Sequence, residues 1–218
     1  MYFDLSALDG PRSYKLLTAT VVPRPIAWVV SADAQGRVNA APFSFFNCFG
    51  GHPPVICVGI GNRGGGPKDS LANIQARREF VVNLVPETLA EAMNLTATDF
   101  PAGHDELQIS GLATLPSNTV SVPRIAGSPV ALECRLKQVI AIEPNSNIVV
   151  AEVVALHVAD AAVINAERCY IDTAKLMLIG RMQSPGGYTR TRDAFSMRLL
   201  DFNEWQTTRA STASTDKP

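Results

Sequence analysis

Apolar and polar positions alternate most clearly between Val130 and Ile142, with Val130, Leu132, Cys134 and Leu136 on one face and Glu133, Arg135 and Lys137 on the other. That two-residue period predicts a strand. A turn at Pro144–Asn147 leads into a second long apolar run, Ile148 to Val158, so the two predict a hairpin. Ile26–Ser31, rich in β-branched and aromatic residues, predicts another strand, returned through Asp33–Gly36 into Arg37–Ala41. Val55–Ile60 is almost continuously apolar, the mark of burial on both faces, and Glu79–Val85 and Leu176–Ile179 add shorter strands.

Helical signals are fewer. A helix is expected from a cap at Asp69 or Ser70 to about Arg77, with Leu71 and Ile74 inward. Another starts near Pro86–Glu87 and carries Leu89, Ala92 and Met93 on one face, and Tyr14–Leu17 suggests a helical turn. Phe100–Pro129 reads as a long excursion with short ordered pieces, Arg181–Arg192 as a polar glycine-containing segment, and Phe195–Phe202 as extended chain. Strands outnumber helices and no βαβ alternation appears. The fold class expected is mainly β, an antiparallel barrel rather than a doubly wound sheet. Residues 1–22 read as a lead segment, 23–202 as the domain and 203–218 as a disordered tail.

Composition adjusts this picture in three ways. Of 218 residues, 46% are hydrophobic and only 18% charged, which leaves apolar surface for a core and for a subunit contact. A net charge of −1 gives no reason to expect nucleic acid or an anionic membrane as partner. No membrane-length apolar run and no signal peptide is visible, so a cytoplasmic protein acting on small molecules is expected. Cys48, Cys57, Cys134 and Cys169 lack metal-ligand spacing and read as buried small hydrophobes. His52, His104 and His157 show no ligand spacing either, and no metal site is expected.

Two stretches carry candidate chemistry. Asn39 to Asn47 places Phe43, Phe45 and Phe46 beside the hydrogen-bonding groups of Asn39, Ser44 and Asn47; the aromatic rings suit a core or the wall of a flat ligand. Arg63-Gly64-Gly65-Gly66-Pro67-Lys68-Asp69-Ser70 precedes a helix, so glycines, free N–H groups, two cations and a hydroxyl come together, as in an anion cradle. The order is not that of a Walker A loop, and a plain glycine loop before a helix is the alternative. A wall plus a cradle matches a flavin nucleotide. No nucleophile elbow or Ser/His/Asp arrangement competes with it.

These residues also carry a family resemblance. Pro23-Arg24-Pro25-Ile26-Ala27-Trp28-Val29, the Asn39–Asn47 block with Pro53-Pro54, Lys68-Asp69-Ser70 with Asn73-Ile74, Phe80–Leu84, Leu132-Glu133-Cys134 and Gly186-Gly187-Tyr188 occur in that order. The chain resembles the flavin reductase-like, FMN-binding split-barrel family, in particular its flavoredoxin and nitrilotriacetate monooxygenase component B branch. The resemblance implies a Greek-key split barrel, a homodimer, and FMN near the subunit interface. It places Asn39 and Phe43, Ser44, Phe45, Phe46 and Asn47 along the ring and ribityl chain, and Arg63, Lys68 and Ser70 at the phosphate, with Asp69 counted among the cofactor-binding residues. Asn147 and Tyr188 are implied as further contacts near the ring or from the other subunit; no catalytic residue is assigned, and in a reductase of activated C=C bonds Tyr188 or a histidine could donate a proton. Transient NAD(P)H would reduce the flavin, and a separate monooxygenase component could receive it. An FMN electron carrier and a reductase of activated C=C bonds are the alternatives.

Overall fold

The computed structural model describes residues 1–64, 66–98, 100, 106–142 and 145–206. Expectations for Gly65, His104, Pro144 and residues 207–218 lie outside the described residues. Helix α1 (Gly10–Thr20) opens the chain, longer than the single turn expected, because Asp9 accepts a hydrogen bond from the Arg12 N–H as its N-cap and Pro11 suits the first turn. Strands β1 (Ala27–Ala32), β2 (Val38–Phe43), β3 (Phe46–Gly51), β4 (Pro54–Arg63) and β5 (Gly66–Pro67) follow, then α2 (Asp69–Arg77) and β6 (Glu79–Asn83). Next comes α3 (Ala90–Leu95), then α4 (Glu106–Ile109), β7 (Thr114–Leu115) and β8 (Arg124–Ile125), the ordered pieces of the excursion. The long hairpin is β9 (Val130–Ile142) and β10 (Ser146–Val158), followed by the short pairs β11 (Val163–Asn165) with β12 (Tyr170–Ile171) and β13 (Ile179–Arg181) with β14 (Tyr188–Arg190).

The main sheet runs β2-β1-β6-β9-β10-β4-β3, with β5 on β4, and the pairs along it are antiparallel. Its two edge strands, β2 and β3, are consecutive in sequence and separated only by Ser44 and Phe45. Two residues cannot span an open sheet of this width. The sheet must therefore curl until its edges meet at that corner, where the Gly59 N–H donates to the Phe45 carbonyl at 2.6 Å. That close approach depends on glycine: a Cβ on Gly59 would lie 2.8 Å from the Phe45 Cβ. The edges do not pair along their length, which makes the barrel a split one.

Inside the curl, Ala27, Val29, Phe43, Phe46, Val58, Phe80, Val82 and Cys134 pack with Leu71 and Ile74 of α2. A second cluster lies on the opposite face of the same strands, where Trp28, Val30, Val81 and Ala131 meet Met93, Leu107, Val120, Val122 and Ile125. Every residue of β1 is buried because both of its faces are covered. Trp28 is wholly enclosed, as a core indole should be, and its N–H finds the Thr96 hydroxyl at 2.9 Å.

Several expectations need correction. β4 is buried on one face only: Ile56, Val58 and Ile60 face the core while Val55, Cys57 and Gly59 stay half-exposed, because none of the described residues covers the outer side there. Residues Thr173–Leu176 form a 3-10 turn, and the strand begins at Ile179, where the Ile179 N–H reaches the Val85 carbonyl. The glycine-containing segment after it holds a strand, β14, paired to β13. Of the four thiols only Cys134 is buried; Cys48 and Cys169 are exposed. Residues 192–201 have no regular structure, and residues 202–206 form a helical turn. No helix of the described residues is long and apolar enough to cross a membrane.

Candidate functional site

The start of α2 is the structural centre of the site. Its N-cap residue is Lys68, in extended geometry, and among the described residues no side-chain cap bond forms there; Asp69 and Ser70, expected as caps, are the first two helical residues. The first turn therefore directs N–H groups outward without a side-chain acceptor, and the helix dipole favours an anion there. Just upstream, β4 and β5 form a tight hairpin in which Arg63 pairs with Gly66 and Asn62 with Pro67, bringing Arg63 and Lys68 to the same end of the helix.

α2 is fixed by polar ties at positions 70, 73 and 77, which share one helical face. The Asn39 amide donates to the Ser70 hydroxyl at 3.0 Å, the Asn73 amide to the Ser31 hydroxyl at 3.2 Å, and the Arg77 guanidinium to the Asp33 carbonyl at 2.7 Å. These bonds lock the helix to the β1–β2 hairpin. Ser70 is 2% exposed, and since its oxygen accepts from Asn39, its O–H remains available to donate.

A recess of about 80 Å³ opens here, lined by Asn39, Phe43, Arg63, Lys68, Asp69 and Ser70, with Ala41, Pro42, the Thr96–Thr98 segment, Phe100 and Glu106 completing the wall. A wider groove of about 1080 Å³ adjoins it, sharing Asn39, Asp69 and Glu106 and running along the Asp33–Val38 turn and the outer side of α2. The small recess gathers two cationic side chains, a hydroxyl and the start of a helix. Arg63 and Lys68 are offset in formal charge by Asp69 and Glu106, so selection of an anion rests on directed N–H and O–H donors more than on net field.

The other residues singled out from the sequence stand elsewhere. Ser44 sits at the β2–β3 corner, accepting from the Arg24 guanidinium at 3.5 Å. Arg24 is itself buried and also donates to the carbonyls of Thr18, Val21 and Met182, tying α1, the corner and the C-terminal hairpin together. Phe46 points into the inner core, while Phe45 is on the outside, its ring 6.0 Å from that of Tyr14. Asn47 is exposed on β3 and its side-chain amide oxygen accepts from the Cys48 N–H. Asn147 is buried one layer behind the recess, donating to the Asn62 side chain at 2.9 Å, so it touches the hairpin that carries Arg63. The Tyr188 hydroxyl donates to Asn94 of α3 at 3.3 Å, and the Arg181 guanidinium lies over its ring at 4.6 Å.

Sequence reading missed Thr96–Thr98, which no pattern announces, and the role of Glu133. Glu133 is fully buried, accepting N–H bonds from Asn118, Thr119 and Val120 at 2.6–3.0 Å and contacting His157 Nε2 at 2.6 Å. Burial pushes its carboxyl up, but the three backbone donors and His157 outweigh that and carry it down to about 2. His157 is thus a partner of this carboxylate, not simply a packed ring.

Comparison with known proteins bears on this arrangement. The flavin reductase like domain matches residues 19–174. The chain belongs to the flavin reductase-like family. An uncharacterised protein of Deinococcus radiodurans is 48% identical over 94% of this chain and 92% of its own length. Among solved structures, 2-nitrobenzoate 2-nitroreductase of Pseudomonas fluorescens is 35% identical with a TM-score of 0.85, over 93% of this chain and 98% of the other. Nitrilotriacetate monooxygenase component B from Bacillus cereus is 29% identical with the same TM-score of 0.85, over 90% and 98%. A split-barrel flavin reductase of Shewanella frigidimarina, at 18% identity and a TM-score of 0.77, shares the fold over 93% of this chain and 99% of the other.

Proposed function

We propose that this protein binds FMN and acts as an NAD(P)H:flavin oxidoreductase, supplying reduced flavin to a separate monooxygenase component. The observation that carries the reading is the convergence of Asn39, Phe43, Arg63, Lys68, Asp69 and Ser70 on one recess at an uncapped helix start. Membership of the flavin reductase-like family and the similarity to a monooxygenase component B support it. The donor set fits a phosphate, and the recess is too small for a fused ring system, which would have to lie outside it on the side of Ala41, Pro42 and Phe43.

Bound FMN would supply the centre that accepts a hydride and passes electrons on. The chain's part is to hold and orient. Lys68, the Ser70 hydroxyl and the first N–H groups of α2 grip the phosphate, with Arg63 beside them. Asn39 keeps Ser70 in place, Asn147 steadies the β4–β5 hairpin through Asn62, and Phe43 gives the apolar side. The sequence holds no dinucleotide fingerprint, so a nicotinamide would stack transiently on the open side of the ring.

A homodimer belongs to the same proposal. The outer face of the sheet carries Ile140 opposite Ile148, Ile148 opposite Gly59 and Val150 opposite Cys57, with Phe45 and Phe49 beside them, all half-buried or exposed. A contiguous apolar face of this kind marks a subunit contact.

The test is titration of the protein with FMN and with riboflavin, followed by rapid mixing with NADH and NADPH. Lys68→Ala with Ser70→Ala should weaken FMN binding by roughly 2–4 kcal/mol, two lost charge-assisted bonds, and leave riboflavin binding unchanged. An unaltered FMN affinity in that double variant sinks the cradle. Flavin that does not bleach with either nicotinamide leaves an electron carrier. Reduction of a nitroaromatic acid is a second reading, favoured by the 35% identity to 2-nitrobenzoate 2-nitroreductase. Nicotinamide oxidation that depends on 2-nitrobenzoate, with catalytic rather than excess FMN, would establish it.

A further inference from the structure

Beyond β14 the chain leaves the barrel. Glu87 holds the exit point, accepting from Arg190 at 2.7 Å and Arg192 at 2.9 Å. Residues 191–203 are all exposed, and residues 192–201 have no regular structure. Yet this stretch is not polar. Phe195, Met197 and Leu199 alternate along it and are 81–94% exposed; Leu200, Phe202 and Trp205 continue it, and the rings of Phe202 and Trp205 stack at 5.8 Å. An apolar alternation with period two is what an extended segment shows when one side is covered. Aromatic side chains bury about 150–250 Å² each, so Phe195, Phe202 and Trp205 alone offer roughly 450–750 Å², most of the ~800 Å² that one partner contributes to a standard protein interface.

We infer that this segment is an exchanged arm: residues 193–206 of one copy lie on the body of a second copy, which returns its own arm to the first. A second copy is the occupant for two reasons. The body of this same chain has an uncovered apolar sheet face, described above, so one two-fold association satisfies both surfaces at once. The fixed exit at Glu87 also lets two identical arms leave two bodies in a symmetric way. The inference rests on the homodimer proposed above and adds the element that secures it; it does not depend on the flavin.

The experiment uses the full chain with a photo-crosslinking phenylalanine in place of Phe195, illuminated at micromolar concentration. Covalent dimers on a denaturing gel, with the link mapped to the body of the other copy, are the expected result. Links only within one chain, or none, overturn the inference, as does a monomeric full chain in light scattering. A chain ended after Arg192 should dimerise at least tenfold more weakly; an unchanged dissociation constant would also overturn it. FMN titration of the same preparations separates the readings. Crosslinked dimers that bind no FMN would defeat the flavin assignment and leave the arm standing.

Discussion

The cradle and the aromatic wall, two neighbouring stretches of sequence with similar promise, fold to opposite outcomes. Residues 63–70 gather Arg63, Lys68, Asp69 and Ser70 at one recess, whereas Phe43, Ser44, Phe45, Phe46 and Asn47 scatter to the recess, the Arg24 clamp, the outer surface, the inner core and a solvent-facing strand. The cause is local geometry. A tight hairpin leading into a helix start aims successive groups at a common point. A strand sends neighbours to opposite faces, and here a chain corner intervenes as well.

The sharpest way to break that contrast is through the aromatic rings. Phe46→Ala should lower stability by about 3–5 kcal/mol, since it empties a place in the inner core, while Phe45→Ala should cost about 1 kcal/mol or less, mostly its contact with Tyr14. Urea unfolding of both variants checks this. Equal losses would mean that the two rings do not face opposite ways.

A somewhat smaller effect concerns the face of the sheet away from the inner core. The Glu133 carboxyl is held near 2 in the folded chain and would titrate near its ordinary value of 4.5 when unfolded. A depressed folded pKa stabilises above the unfolded value. Its contribution, about 3 kcal/mol at neutral pH, should therefore be lost as pH falls from about 4.5 to 2. Glu133→Gln removes that window: its stability at pH 7 drops, and the extra acid sensitivity of the parent between those values disappears. Parallel pH profiles of parent and variant would show that Glu133 does not anchor the 118–120 segment.

How far the sequence reveals this molecule follows from the same contrast. The β1–β2 and β9–β10 hairpins, α2 and the meeting of Arg63, Lys68 and Ser70 at one recess were legible because each is specified within about thirty residues by period and turn. Alternation placed Glu133 opposite Leu132 and Cys134 correctly, but it cannot say whether that side meets water; the excursion that covers it lies earlier in the chain and has no period of its own. Likewise the continuous apolar run of β4 signalled two covered faces, and among the described residues only one is covered. The corner at Ser44–Phe45 could not be foreseen, because it is the closure of a seven-strand circuit that turns two adjacent residues into a bridge between sheet edges.

The smallest effect is expected at Asn147, and it decides whether that residue belongs with the cradle or the wall. Its amide reaches the Asn62 side chain, and Asn62 pairs with Pro67 in the hairpin before Lys68, so its influence on a ligand should pass through the phosphate site. Asn147→Ala removes the amide's bonds to the Asn62 side chain and to the Ile60 carbonyl, and about 1 kcal/mol, or roughly fivefold, of FMN affinity should go with them. Riboflavin, which has the ring and ribityl chain but no phosphate, should bind parent and variant alike. If both ligands weaken by the same factor, Asn147 acts on the ring directly and the cradle is smaller than drawn. If only FMN weakens, the β4–β5 hairpin is held in register from behind by the long β9–β10 hairpin, and the anion site extends one layer into the barrel wall.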